Sequence, residues 1–380
     1  MRSASGKRQL SPAAEWLGRI ILVALSVIIA LGGLEIASRL NRGVEWLTRW
    51  PNFVLKQQAR FEGELQGQFA FDPQLGFVSR PDFRSAEANH DPRGFRVALG
   101  EQEPAAGAPI LAPILATGDS FTYGAEVADG ETWPALLQAD LKRKVLNAGV
   151  VGYGLDQIVL YAERLVAQEK PGLLVVGFIA DDLQRSEYRR LWGKERPYFE
   201  LGPGKLDGNL VLRNVPVSEN APIPWHLRVL RDVFGWSALL ETIMRRAGDP
   251  YEWQAAGVRV LPRGSGEALA CPLMQRLSGL GVPTLVVGLY APPVWRMQPR
   301  PPWIVEEIRQ TRAVLACATK AGLGTLDTYE TIDRGMKELG KNEFFFNFHV
   351  SAEGNRRIAA AIADAINNGA AVSPAKRARK

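Results

Sequence analysis

A serine stands in this sequence where it could act as a nucleophile. The segment "ILATGDSFTYGAE" runs from an apolar stretch directly into Gly118, Asp119 and Ser120. A serine hydroxyl is a weak nucleophile until a positioned base removes its proton, and the attack also needs donors for the oxyanion that forms. If Ser120 is catalytic, the chain must therefore supply a base and N–H groups close to it.

Histidine is the usual general base near neutral pH, and the chain contains 3 histidines. His90 in "NHDPRG" is typical of a turn, and His226 in "PWHLRV" is typical of a helix start or a packed surface. His349 in "FFFNFHVSAEG" stands just before the last predicted helix, so we expect it to be the base. A hydrogen-bonded structural histidine is the competing interpretation of His349.

The elements that must position these residues follow an alternating pattern over residues 110–368. Short apolar runs such as "KVLNAGV", "GLLVVGFIA" and "PTLVVGLYA" alternate with segments of helical periodicity. Nearly continuous apolar strands separated by helices predict a parallel sheet covered on both faces, which is a three-layer α/β/α sandwich. Functional groups collect at the carboxyl ends of such strands, where Ser120, "NAGVVGYG" and "IADDLQR" stand.

These separated blocks, in this order, resemble the SGNH, or GDSL, hydrolase superfamily over residues 110–368. Gly118-Asp119-Ser120 is similar to its nucleophile block, Asn147 with Gly152 to its glycine block, and His349 with Gly354 to its histidine block. The resemblance implies a flavodoxin-like sheet, Ser120 as the nucleophile and His349 as the base. It also implies that the backbone N–H groups of Ser120 and Gly152 hold the oxyanion.

Two positions depart from the family's pattern. Where the superfamily places an asparagine that helps to hold the oxyanion, this chain has Asp181. An ionised carboxylate would repel an oxyanion, so Asp181 is protonated, or faces elsewhere, or leaves the hole with two donors. The superfamily's acid stands shortly before the histidine; here we expect Asn347 to accept the imidazole N–H instead, without supplying a negative charge. A Ser–His dyad and an acid from elsewhere, such as Asp327 or Glu343, are the alternatives.

An apolar segment near the N-terminus predicts a membrane anchor. "WLGRIILVALSVIIALGGLEIA", residues 16–37, reaches about 33 Å as a helix, which is enough to cross a bilayer. No small-x-small cleavage site follows it, so an uncleaved signal-anchor is favoured over a signal peptide or a buried helix. Basic residues flank it almost evenly, so the orientation rests on context: we expect the globular part outside the cytoplasm, in the periplasm. The upstream "LGF" and "RGFR" also resemble bacterial, membrane-anchored members of the superfamily.

The rest of the chain divides by composition. The segment "RPYFELGPGKLDGNLVLRNVPV" alternates like a hairpin and opens an insertion that is a candidate for shaping the substrate cleft. The predicted divisions are a basic N-terminal tail (1–15), the anchor (16–37), a juxtamembrane module and linker (38–109), the hydrolase-type domain (110–368) with its insertion (about 196–260), and a basic C-terminal tail (369–380).

Composition excludes several classes of function. The net charge of +6 comes partly from the termini, and basic residues are not interleaved with aromatic ones as in a nucleic-acid platform, so no nucleic-acid partner is expected. Cys271 and Cys317 form no Cys-x-x-Cys or Cys/His cluster, and Asp181 with Asp182 gives too few ligands, so we expect no metal or other cofactor. The two cysteines form either one disulfide or two buried thiols.

Together these features predict an envelope-exposed serine esterase or acyltransferase that acts on a small-molecule or polysaccharide ester, such as an acylated carbohydrate. The substrate class rests on analogy between folds. The alternative is a catalytically impaired binding module in a polysaccharide modification or assembly system. Asp181 and the missing acid favour that alternative, whereas Ser120, Gly152 and His349 favour the enzyme.

Overall fold

A computed structural model of the chain describes residues 11–55, 67–98, 111–202, 209–219, 224–247, 250–253 and 257–370. The expected linker before residue 110 and most of both basic tails lie outside the described residues. The chain divides into two compact units, one made of residues 1–63 with 222–256 and the other of residues 64–221 with 257–380.

The strands are β1 Phe69–Asp72, β2 Gly76–Ser79, β3 Ile114–Gly118, β4 Val145–Gly149, β5 Leu173–Phe178, β6 Tyr188–Leu191, β7 Lys194–Glu195, β8 Tyr198–Leu201, β9 Leu210–Arg213, β10 Val258–Arg259, β11 Thr284–Gly288 and β12 Gly324–Asp327. The helices are α1 Pro12–Leu40, α2 Ser120–Tyr123, α3 Trp133–Leu141, α4 Leu155–Glu169, α5 Asp181–Arg185, α6 Trp225–Phe234, α7 Ala238–Ala247, α8 Pro250–Trp253, α9 Ser265–Ser278, α10 Pro293–Arg296, α11 Pro302–Lys320, α12 Tyr329–Leu339, α13 Lys341–Phe344 and α14 Ala352–Asn367.

The larger unit is built on a five-stranded parallel sheet in the order β12-β11-β5-β3-β4. Taken in chain order, the strands lie 2-1-3-4-5, which is the flavodoxin-like order. Every residue of the strands β3, β4, β5 and β11 is buried, because helices cover both faces of the sheet. The predicted fold class, an α/β/α sandwich with a flavodoxin-like parallel sheet, is confirmed.

The two faces of the sheet carry separate apolar cores. Helices α4 and α9 pack in the core of one face, and helices α3 and α14 pack in the core of the other. The strand order reverses beside β3, and open parallel sheets bind their ligands at the carboxyl ends of strands at such a point. Ser120 follows β3 at this edge of the sheet.

The insertion belongs to both units. Its first part contains the predicted hairpin, in which β8 pairs with β9 in antiparallel register, and that part lies in the larger unit. Its second part, from residue 222, belongs to the smaller unit, where α7 packs with the N-terminal helix and Trp236, between α6 and α7, accepts from Arg39. The interpretation of the insertion as a border of the substrate cleft stays a prediction.

The N-terminal helix α1 has 29 residues, and it is long and apolar enough to cross a membrane by length and composition. Its apolar side chains, such as Leu22, Ile28 and Ile29, are 63–73% exposed within the protein, as expected of a segment that meets lipid. A signal sequence passes the same test of length and composition. Ser11 caps its first turn, accepting the N–H of Ala14 at 3.3 Å.

A disulfide joins two helices of the larger unit. Cys271 of α9 bonds to Cys317 of α11, and no free cysteine remains in the chain. Of the two arrangements left open by the sequence, the structure contains the disulfide.

Candidate active site

Ser120 begins the short helix α2, directly after β3. The side chain of Asp119 accepts the Phe121 N–H at 2.9 Å and caps this helix, which ends at Gly124 in the left-handed region (φ 85°). A Cβ on Gly118 would lie 2.0 Å from the Thr122 hydroxyl oxygen, so only glycine fits before the turn. The Gly-Asp-Ser order thus places Ser120 at the sheet edge, where its side chain is 4% exposed.

His349 meets Ser120 from the other end of the chain. Its Nε2 lies 2.9 Å from the Ser120 hydroxyl oxygen, within normal hydrogen-bond range, although 229 residues separate the two. The ring packs on Phe121 with 5.2 Å between ring centroids. Arg296 donates to the carbonyl oxygens of Phe345 at 3.1 Å and of Asn347 at 2.6 Å, which holds the loop before His349.

A carboxylate that we did not select from the sequence stands behind the imidazole. Glu126 Oε2 lies 3.5 Å from His349 Nδ1 and accepts the backbone N–H groups of Phe348 at 3.3 Å and His349 at 3.2 Å. The contact with Nδ1 is an ion-pair distance, longer than a usual N–H···O bond. Burial alone would raise the pKa of Glu126, but the contacts with the His349 ring and with the two backbone N–H groups lower it below its usual value.

The residues expected to take this position lie elsewhere. Among the described residues, the Asn347 side chain makes no hydrogen bond with His349, and its backbone carbonyl accepts from Arg296. Asp327 accepts from Tyr290 at 2.8 Å and pairs with Arg312 at 3.2 Å. Glu343, an exposed residue of α13, shows no contact with His349. The acid beside His349 thus comes from the loop that carries the serine.

A buried arginine braces that loop. Arg96, of the "RGFR" segment, donates to the carbonyl oxygens of Tyr123, Gly124 and Val127 at 2.5–3.0 Å, and pairs with Asp129 at 2.7 Å. These contacts fix the chain from α2 to the start of the next helix. Because Ser120 and Glu126 both lie on this segment, Arg96 sets their separation.

The turn after β4 carries Gly152, the second oxyanion donor expected from the sequence. Gly152 has φ +85°, a conformation that favours glycine, and a Cβ there would lie 2.6 Å from the Trp192 ring. Asn147 holds the turn, accepting the Gly149 N–H at 3.1 Å and donating to the Tyr123 carbonyl at 3.2 Å. Among the described residues, no hydrogen-bond acceptor takes the N–H of Ser120 or of Gly152.

Asp181 is part of a charged cluster around Arg185. Arg185 Nη2 lies 2.8 Å from Asp181, and Nη1 lies 2.9 Å from Asp182 and 3.4 Å from Asp119. The Asp181 carboxylate is thus paired with a cation, and its side chain is 32% exposed. The pKa values of Asp119 and Asp182 are raised, mainly because burial disfavours their charged forms and in spite of the charge of Arg185.

This arrangement can activate a hydroxyl. The hydroxyl, the imidazole and a carboxylate stand in series, and the set suits nucleophilic attack on a carbonyl. Among the described residues, no group of three or more His, Cys, Asp or Glu side chains is arranged to hold a metal ion.

No protein-family model matches the chain, and no curated protein matches it. Solved structures do show similarity. One is the α/β hydrolase LAE5 from the metagenome of Lake Arreo, with 14% identity, 69% of this chain and 97% of that chain covered, and a TM-score of 0.41. The acetylxylan esterase Axe2 of Geobacillus stearothermophilus matches at 16% identity, over 68% and 95% of the two chains, with a TM-score of 0.39.

A putative lipolytic protein of the G-D-S-L family from Desulfitobacterium hafniense DCB-2 matches at 14% identity, over 67% of this chain and 98% of that chain, with a TM-score of 0.34. At these identities and TM-scores, the likenesses add nothing to the case for the site, which depends on the distances within this chain. The structures to which this chain is similar thus include one from the family that its sequence resembles.

Proposed function

We propose that this protein is a serine hydrolase of the SGNH type that acts on ester bonds, with Ser120 as the nucleophile and His349 as the base. The observation that carries the proposal is the distance of 2.9 Å between the Ser120 hydroxyl oxygen and His349 Nε2. Two side chains so far apart in the chain meet at the carboxyl edge of a parallel sheet, where such sheets place their active groups.

The reaction follows from these positions. The Ser120 oxygen attacks the ester carbonyl carbon, and its proton passes to His349 Nε2. The N–H groups of Ser120 and Gly152 stabilise the oxyanion, each donor contributing about 2.7–4 kcal/mol. The proton then goes to the departing alkoxide, which leaves as an alcohol. Water, activated by His349, attacks the acyl-enzyme and releases the carboxylic acid; a sugar hydroxyl in place of water would give transfer.

Glu126 completes this proposal as the positioning residue. Its carboxylate faces Nδ1, and it stabilises the imidazolium that forms when Ser120 loses its proton. The lowered pKa of Glu126 means that the carboxylate stays ionised below its usual pH range. Asp181 is not required as an oxyanion donor in this scheme, and its pairing with Arg185 reduces the repulsion that a carboxylate would exert on the oxyanion.

For the substrate, we propose an acylated carbohydrate. The half-buried ring of Trp192 lies against Gly152, beside the proposed oxyanion site, and an indole face suits stacking on a sugar ring. Phe199, an aromatic residue close by in the sequence, is 1% exposed and belongs to the core. We therefore assign Trp192 rather than Phe199 to the substrate.

We further propose that α1 anchors the protein and that the larger unit lies outside the cytoplasm. The length and exposed apolar surface of α1 support the anchor. The disulfide between Cys271 and Cys317 supports an oxidising compartment, since cytosolic thiols are kept reduced.

The test compares the full chain with Ser120→Ala in detergent, since a chain that begins at residue 38 would lose Glu35, which caps α7. We expect hydrolysis of p-nitrophenyl acetate and labelling by a fluorophosphonate, whose phosphorus bonds to the Ser120 oxygen as fluoride leaves. The Ser120→Ala variant should do neither. Equal background rates and no label in both proteins would leave the alternative, a binding module without catalysis.

A further inference from the structure

The smaller unit joins the end of α1 to two helices of the insertion. Glu35 accepts the N–H groups of Ala238 at 2.8 Å and Leu239 at 2.9 Å, so it caps the N-terminus of α7. Arg39, 1% exposed, pairs with Glu35 at 2.7 Å and donates to the carbonyl oxygen of Trp236 at 2.8 Å. The junction between α6 and α7 is thus held within two turns of the end of the apolar run of α1.

Helix α6 carries an apolar stripe that is exposed among the described residues. Trp225, Val229 and Val233 follow each other at four-residue spacing and are 76%, 47% and 48% exposed. On the opposite side, Arg231 is buried and its carbonyl accepts from Asn52 at 2.8 Å. A surface helix normally turns polar residues outward, so an exposed apolar stripe is unusual.

Tryptophans mark both ends of the apolar part of α1. Trp16 stands near its start, and the rings of Trp50 and Trp236 lie 5.6 Å apart near its end, with Arg39 stacked over Trp50 at 3.5 Å. From Trp16 to Glu35 the helix rises about 29 Å, which matches the hydrocarbon thickness of a bilayer. Tryptophan is enriched at both membrane–water interfaces.

We propose that α6 lies in the membrane–water interface, with the stripe of Trp225, Val229 and Val233 in contact with phospholipid on the side where α1 ends. The stripe is attached to the end of the anchor through Glu35 and Arg39, and Trp50 and Trp236 mark the same level. Exposed Arg228 and Asp232, next to the stripe, would remain among the headgroups. This inference rests on the proposed anchor and is independent of the proposed catalysis.

The test places an environment-sensitive fluorophore (NBD) on a single added cysteine in the full chain, in nanodiscs that hold one copy each. Both native cysteines are bonded to each other, so the added thiol is the one that reacts. Val229→Cys and Val233→Cys report on the stripe, and Ser26→Cys reports on the middle of α1. Thermal unfolding followed by circular dichroism checks that each variant is folded.

We expect NBD at all three positions to shift its emission to the blue and to lose fluorescence to lipids with a quencher in the acyl chain. Quenching at residue 26 but not at 229 or 233 would overturn the interfacial helix and leave the anchor intact. No quenching at any position would overturn both. Protection of 229 from soluble iodide without lipid quenching would mean that protein covers the stripe, which also overturns the inference.

Discussion

Replacing Glu126 by glutamine tests whether its charge assists the proposed reaction. The glutamine carbonyl oxygen can still accept the N–H groups of Phe348 and His349, so the loop should keep its structure while the charge is lost. At the observed separation of 3.5 Å, the attraction between the carboxylate and an imidazolium is about 1.2 kcal/mol at the dielectric constant of water and about 4.7 kcal/mol at an effective value of 20.

Exposure decides where between these limits the effect of Glu126 falls. The side chains of His349 and Glu126 are 20% and 29% exposed, so the charges are partly screened and we expect a loss of about 2–3 kcal/mol. That corresponds to a decrease of about 30- to 160-fold in the rate at which a fluorophosphonate labels Ser120. The assay measures the second-order rate constant of labelling, with the labelled residue identified by mass spectrometry.

Glu131→Gln is the matched control for Glu126→Gln. Glu131 lies five residues further along the same segment and accepts the Ala128 N–H at 3.0 Å, with no contact to His349. We expect its labelling rate to stay within about twofold of the unmodified protein, since the charge is far from the reaction. Two charges in water at this distance would account for about an eightfold change in rate. A smaller decrease in the labelling rate of Glu126→Gln, or an equal decrease for Glu131→Gln, would refute the role of the Glu126 charge.

Two further predictions concern other groups near the sheet edge. Gly152→Ala should lower the fluorophosphonate labelling rate about 10²-fold and the free energy of unfolding by about 1–3 kcal/mol. The reason is that the backbone conformation (φ +85°) and the Trp192 ring both oppose a Cβ at residue 152. An unchanged labelling rate would argue against Gly152 as an oxyanion donor. Burial, together with the charge of Asp181, raises the pKa of Glu307 to about 7, so the folded state holds a proton that the unfolded state releases above pH 4.5. The free energy of unfolding should therefore fall by up to about 3 kcal/mol between about pH 4.5 and 7.5, relative to that of Glu307→Gln. Urea unfolding measures both proteins, and the same pH dependence in both would contradict the prediction.

Local patterns in the sequence were enough to predict the sheet and the serine. Fully buried parallel strands require continuous apolar runs, and the runs that end at Gly118, Gly149 and Phe178 became β3, β4 and β5. The order of glycine, aspartate and serine likewise encodes a cap and a tight turn, both of which are local. Asp182 and Arg185 stand three residues apart, a spacing that brings side chains together on a helix, and they pair at 2.9 Å.

The partner of the histidine depended on the tertiary structure. Glu126 is only six residues from Ser120, but it reaches His349 because Gly124 turns left-handed and Arg96 holds the loop from a separate segment. The hydrophobic periodicity of the sequence does not predict such a turn, and the family's spacing indicated Asn347 instead. The sequence determined which residues could do chemistry at the sheet edge, and only the folded chain determined which carboxylate stands beside the imidazole.

The same division holds for the insertion and the disulfide. Helices α6 and α7, and the two helices that carry the cysteines, follow from the local periodicity of the sequence. Only the tertiary structure decided that α7 is capped by Glu35, some 200 residues earlier in the chain, and that Cys271 bonds to Cys317. The physical reason is that strands and helices follow from short-range sterics and the periodicity of burial, whereas contacts between distant segments depend on how the whole chain packs.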